Sequence, residues 1–321
     1  MLRFVCIFLF LIGISPTLFS QYSKNWDYEM VEVLHPSMQG VLMSSVPIYS
    51  DEWDVLPQPN FWKQIMKLSP DSCLVNVASN RIIVAKMSNK DWARQTEEQK
   101  TLFKDSIKRT YQLDSSERIY ITTGKNDFYR FNDVYPSLTR GILAFESQNV
   151  DPWYAQAILL IESPGQLKKS SAGAYGAFQL MPAVARANGL IVNKYIDERK
   201  DFEKSAMGAA SLIQKICIPE AKRILNDFNI SYSESDLWFR LFVLHVYHAG
   251  ALNVRAVVTK INPEQGGQEL IKTMWQTSAA SFGNNSQNYT QLALASQLII
   301  AEMTKKDCVK LFHCEETETA N

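Results

Sequence analysis

Residues 153–163, WYAQAILLIES, and 170–182, SSAGAYGAFQLMP, decide how this chain is read. In the first stretch Ala155, Ile158, Leu159 and Glu162 recur at i, i+3, i+4 and i+7. That spacing predicts a helix with Glu162 on the face that turns to the core. Asp151-Pro152 can cap and open the helix, and Pro164-Gly165 would stop it after Ser163. A carboxylate there is desolvated and lies beside the negative end of the helix dipole, and both effects push its pKa up. A glutamic acid still protonated near neutral pH is what a general acid requires. The same spacing suits a structural salt bridge, or a helix-end residue that turns to water, so the helix alone does not choose.

In the second stretch Gly173 and Gly176 allow tight turns and close approach to a ligand. Gln179 offers an amide that can both donate and accept hydrogen bonds. Pro182 can open the next helix, which Asn188-Gly189 would close. Further along, Asp201 can cap a helix from Phe202 to about Ile216, and Asp236 another from Leu237 to Ala249 with Gly250 at its end. Asn288 to Met303 reads as a last helix.

Upstream the pattern changes. Leu74 to Ala85 is rich in Val and Ile around Ser79-Asn80 and predicts a hairpin. Asp91 to Leu113 carries Trp92, Leu102, Phe103, Ile107 and Tyr111 at helical spacing, and Ile119 to Thr123 predicts a short strand. Before these, Pro36, Pro47, Pro57 and Pro59 interrupt any long element. The expected class is mainly α, a helical domain preceded by a small α+β region. The expected divisions are 1–20, 21–140, 141–303 and a C-terminal tail 304–321, which from Cys308 to Asn321 ends polar and acidic.

Residues 1–20 predict a signal peptide: one positive charge at Arg3, then an eleven-residue apolar run from Phe4 to Ile14 and Ser15-Pro16. That run is well short of the ~20 residues a spanning helix needs. Export to the periplasm or cell envelope is therefore expected, with no membrane span after signal removal. The 321 residues hold 33 Lys plus Arg against 33 Asp plus Glu, which gives no bulk attraction to nucleic acid or anionic lipid. Hydrophobic content of 46% suits a packed protein rather than a disordered one.

Cys73, Cys217, Cys308 and Cys314 remain after the signal, enough for two disulfides in any of three connectivities. No Cys-x-x-Cys or His-Glu-x-x-His spacing exists. His245 and His248 share a helix face without a third ligand in view, so neither metal nor cofactor is expected.

In order along the chain, Glu162-Ser163, Ser170 to Gly173, Gly176 to Gln179, Met181-Pro182, Val246-Tyr247-His248-Ala249-Gly250 and Asn288-Tyr289 resemble the soluble lytic transglycosylase domain, a relative of goose-type lysozymes. Asp197-Glu198-Arg199 is similar to its connecting segment. The resemblance spans about 141–303 and implies a lysozyme-like fold acting on peptidoglycan glycan strands. It makes Glu162 the catalytic acid and then base. It places Ser170, Gln179, Met181, Tyr247, His248 and Tyr289 at the substrate groove, with Tyr247 hydrogen-bonding Glu162. His248 stands where the family usually has asparagine, and Asn285 where it often has an acid.

Most glycosidases need two carboxylates. Asp151 is eleven residues from Glu162 on the same helix, about 16 Å at the helical rise, too far to serve. The resemblance implies instead that the substrate's own C6 hydroxyl attacks, leaving a 1,6-anhydro end. A lysozyme-like hydrolase and a non-catalytic wall-binding or envelope-assembly module on the same fold stay open. For residues 21–140 three roles stay open: limiting the groove, binding stem peptides, or recruiting an envelope partner.

Overall fold

The computed structural model describes residues 26, 29–35, 38–162 and 169–318. The expected signal segment, Ser163 and the Pro164-Gly165 stop fall outside the described residues, as do the side chains of Cys308 and Cys314.

The chain opens with a hairpin, β1 (Met30–His35) and β2 (Met38–Met43), paired from Met30↔Met43 to His35↔Met38. No strand was expected here. Two of the prolines taken as interruptions instead start helices: Pro47 lies in the first turn of α1 (Val46–Ser50), and Pro57 begins α2 (Pro57–Lys67). Proline fits there because the first-turn N–H groups have no helical partner.

Next come β3 (Ser72–Val77) and β4 (Ile83–Ser88), the expected hairpin, then α3 (Asn89–Arg94), α4 (Glu97–Thr110) and β5 (Ile119–Thr123), the expected strand. The sheet order is β4-β3-β5, antiparallel throughout. The single helical stretch expected over 91–113 is broken at Gln95-Thr96. Thr96 accepts from the Gln99 backbone while the Gln99 side chain accepts from the Thr96 N–H. This reciprocal capping box starts a new helix, and the Thr-x-x-Gln signature is present in the sequence.

The remainder is helical: α5 (Phe131–Ser147), α6 (Trp153–Glu162), α7 (Pro182–Ala187), α8 (Phe202–Leu212), α9 (Ile218–Asp227), α10 (Leu237–Ala249), α11 (Ala251–Ile261), α12 (Gln268–Gln276) and α13 (Asn284–Glu318). A π-helical turn, Ile213–Cys217, joins α8 to α9. Asp201 caps α8 by accepting from Lys204 N, and Asp151 accepts from Trp153 N at the start of α6. Among the described residues no helix is long and apolar enough to cross a membrane.

α6 is the centre of the molecule. Every residue from Trp153 to Ile161 is buried. The expected core-facing stripe is thus too narrow: the helix is enclosed on all sides, by α5, α13 and β2, and an all-round apolar sequence is what such a helix needs. Gln156, the one amide among these buried residues, accepts from Met43 N (2.9 Å) and donates to Met43 O (3.1 Å) and Gln297 Oε1 (2.6 Å). Thr139 of α5 likewise accepts from Val41 N (3.0 Å) and donates to Val41 O (3.2 Å). These side chains satisfy backbone groups on β2 that no strand pairs.

One hydrophobic core accordingly runs through β1, β2, α2 and the later helices. A second, small core of Val75, Val77, Ile107 and Ile119 belongs to the β4-β3-β5 sheet and α4. The boundary expected between 140 and 141 falls inside α5, and α13 continues well past 303. Hydrophobic burial follows contact in space, so residues 30–67 share the helical core although they precede the sheet. Cys73 and Cys217 are buried free thiols.

Candidate active site

Glu162 is the last residue of α6, where that enclosed helix reaches the surface. Its side chain is half-buried, and among the described residues no cation forms an ion pair with it. Burial pushes its carboxyl up to about 7, and the Tyr289 hydroxyl partly opposes this. Tyr289, from α13, is itself buried, and its hydroxyl makes no hydrogen bond of ordinary geometry. It acts on Glu162 as a nearby dipole rather than as a tight partner. Tyr129 and Tyr247 also feel the Glu162 charge, which together with burial raises their own pKa values. Three phenol groups thus surround one carboxyl without neutralising it.

The segment 170–181 is a rigid double turn. Ser170 Oγ accepts from Ala174 N (3.0 Å), and Tyr175 and Leu180 exchange backbone hydrogen bonds of 3.1 and 3.2 Å. Gly176 (φ 84°) and Gln179 (φ 47°) take the left-handed conformation at this turn. At Gly176 a Cβ would come within 2.0 Å of the Arg199 carbonyl oxygen, so glycine is required. Arg199, 4% exposed, donates to the carbonyls of Gly173 and Leu180, both at 2.9 Å, and pairs with Asp197 at 2.7 Å.

The Asp197-Glu198-Arg199 segment therefore locks the turn. It supplies no second carboxylate. Asp197 is held below the usual range by its hydrogen bond to Arg199, Glu198 accepts from Ile191 N, and Asp201 caps α8.

The expected groove residues divide into two sets. Tyr247, His248 and Tyr289 cluster by Glu162: the His248 ring stacks on Tyr289 with centroids 4.3 Å apart and planes 29° apart. That packing removes water from one ring face and pushes the His248 pKa down. Tyr247 departs from expectation, because its hydroxyl donates to the Phe178 carbonyl at 2.6 Å rather than to Glu162. The bond ties α10 to the 170–181 turn. Ser170 serves the turn's backbone, the Gln179 amide donates to Gly176 O at 2.9 Å, and Met181 is 40% exposed. His245 is buried and shares a 3.0 Å hydrogen bond with Thr290, while Thr290 accepts from Trp275 Nε1. Among the described residues no three His, Cys, Asp or Glu side chains group as metal ligands.

Sequence reasoning missed a whole wall. A cavity of about 500 Å³ beside Glu162 and Ile161 is lined by Pro70, Thr123, Gly124, Lys125, Asp127, Phe128 and Tyr129. The loop after β5 is held there by backbone bonds from Gly124, Lys125 and Asn126 to the carbonyls of Ser72, Ile65 and Leu68. The only local signal was an aromatic cluster, Phe128-Tyr129 and Phe131, with nothing to tie it to Glu162. A larger cavity, about 1250 Å³, opens at the far end of α6 around Asp151, Tyr154 and Arg240. Its buried charges satisfy one another, since Arg240 pairs with both Glu29 and Asp151 at 2.7 Å. The smaller cavity is the one that holds an unpaired acid.

Residues 142–268 match the family model of the transglycosylase SLT domain. The matched segment is less than half of the chain. It contains Glu162, Ser170, Gln179, Met181, Tyr247 and His248, and excludes Tyr289, Tyr129 and the 123–129 loop. No curated protein matches the chain.

Proposed function

We propose that this chain, whose residues 142–268 match the transglycosylase SLT domain, is an exported lytic transglycosylase that cuts peptidoglycan glycan strands between N-acetylmuramic acid and N-acetylglucosamine. The observation that carries the reading is Glu162: a carboxyl pushed up to about 7, without a counter-ion among the described residues, on the wall of a cavity. An acid in that state donates a proton near neutral pH, and its conjugate base takes one back at similar pH.

In the proposed reaction the Glu162 carboxyl protonates the bridging glycosidic oxygen as its bond to the muramic-acid anomeric carbon breaks. The substrate's acetamido group shares the positive charge that develops there. Glu162, now a carboxylate, removes the proton from the same sugar's C6 hydroxyl, whose oxygen closes onto the anomeric carbon. One proton is given and one regained. An intramolecular nucleophile needs no second carboxylate to activate water, and its proximity lowers the barrier. Asp127 also lines the cavity, but ring closure asks nothing of a second carboxylate, and Glu162 can serve as both acid and base for it. No cofactor takes part in this scheme.

The test is mass spectrometry of fragments released from purified sacculi by the wild-type protein and Glu162→Gln. Ring closure yields ends lighter by one water than hydrolysed ends. Hydrolysed ends would point to a lysozyme-like hydrolase, and equal release by both proteins would remove Glu162 from the chemistry. Release by neither would leave the wall-binding reading.

A further inference from the structure

Two cations flank Trp62, and one of them, Lys125, belongs to the cavity that contains Glu162. Lys125 Nζ lies 5.8 Å from the Trp62 ring centroid and the Arg81 guanidinium 5.7 Å from it. Neither has a carboxylate partner among the described residues. Arg81 is buried, held at φ 64°, and spends its guanidinium on Asn288 Oδ1 at 2.9 Å and on the Phe61, Trp62 and Tyr120 rings. Burial without an anion lowers its pKa, and its field is only weakly screened by water. Lys125 is exposed and lines the cavity that contains Glu162. Phe128, 46% exposed, lines the same cavity and presents an apolar face. The opposing charge is Asp127, also on that wall.

We propose that the 123–129 loop is a binding wall of the Glu162 groove, and that Lys125 takes a carboxylate borne by the glycan next to the cleaved bond. This rests on the proposed function, since it assumes the cavity receives a glycan. A muramic acid without a stem peptide carries a free lactyl carboxylate, whereas N-acetylglucosamine is neutral, so a cation at this position distinguishes the two. Lys125 is suited to it as a compact point charge on a flexible stem, exposed and in cation–π range of Trp62. The wall is built by residues outside the matched domain, which gives the sheet unit a part in substrate selection.

The experiment uses the full chain carrying Glu162→Gln, which prevents turnover, and titrates two oligosaccharides of equal length. One alternates N-acetylglucosamine and N-acetylmuramic acid; the other is N-acetylglucosamine alone. Adding Lys125→Ala should weaken the carboxylated oligomer about fivefold and leave the neutral one unchanged. Lys125→Arg should restore most of the loss, and Asp127→Asn should tighten the carboxylated oligomer. An equal loss on both oligomers, or none on the carboxylated one, overturns the proposal while leaving the transglycosylase reading intact. Binding of neither by the Glu162→Gln parent overturns both readings.

Discussion

The buried Tyr289 hydroxyl faces the Glu162 carboxyl and draws down the pKa that burial raises. The phenol favours the charged carboxylate, so it tunes the acid without quenching it. Removing that hydroxyl leaves desolvation unopposed.

Tyr289→Phe should therefore move the alkaline limb of the pH–rate profile upward from its wild-type position near 7. The limb reports loss of the protonated acid as pH rises through the Glu162 pKa. Its position, measured from initial rates of fragment release over pH 5 to 9, checks the assignment. A downward shift would mean that the phenol stabilises the neutral acid instead.

Glu162→Gln should abolish fragment release, by roughly 10²–10⁴-fold or more for loss of acid–base catalysis. It should also stabilise the protein at alkaline pH. Folding raises the carboxyl from 4.5 to about 7, so the folded state binds the proton more tightly. That contribution is fully present below 4.5 and is lost as pH rises through about 7. The wild type should lose up to about 3 kcal/mol across this window, and the amide variant should not. Denaturant unfolding of both proteins at pH 4 and pH 8 measures the difference.

Arg199→Ala should loosen the 170–181 turn. Its guanidinium satisfies the Gly173 and Leu180 carbonyls and the Asp197 carboxylate at once. Breaking a buried pair by removing one partner costs about 3–5 kcal/mol. Fragment release should fall even where the variant stays folded, and amide exchange should accelerate at Ala174 and Leu180. Gly176→Ala should give the same exchange signature, because its Cβ would strike the Arg199 carbonyl.

Arg240→Met should destabilise through a different end of α6. The variant leaves Glu29 and Asp151 buried without their cation, and a loss of about 3–5 kcal/mol is expected at neutral pH. Acid should restore part of it, because protonation removes the stranded charges. The double variant Glu29→Gln, Asp151→Asn on the Arg240→Met background should recover stability at neutral pH as well.

The sequence by itself determined what local rules govern. Asp151, Asp201 and Gly250 marked helix ends that the structure contains, because capping depends on residues a few positions apart. The Ser79-Asn80 hairpin and the 119–123 strand were legible for the same reason. Glu162 could be singled out because an acid at the end of an apolar helix stands against its surroundings, and the ordered blocks from Ser170 to Tyr289 gave it context.

Tertiary structure decided the rest. Periodicity could not tell that α6 is enclosed on every side, since besides the preceding α5 its neighbours are β2 and α13, distant in the chain. Nor could it show that Tyr247 bonds to Phe178, or that the loop carrying Lys125 and Tyr129 lines one cavity with Glu162. A pKa is set by what excludes water and what charge lies within a few ångströms, and those neighbours exist only once the chain has packed.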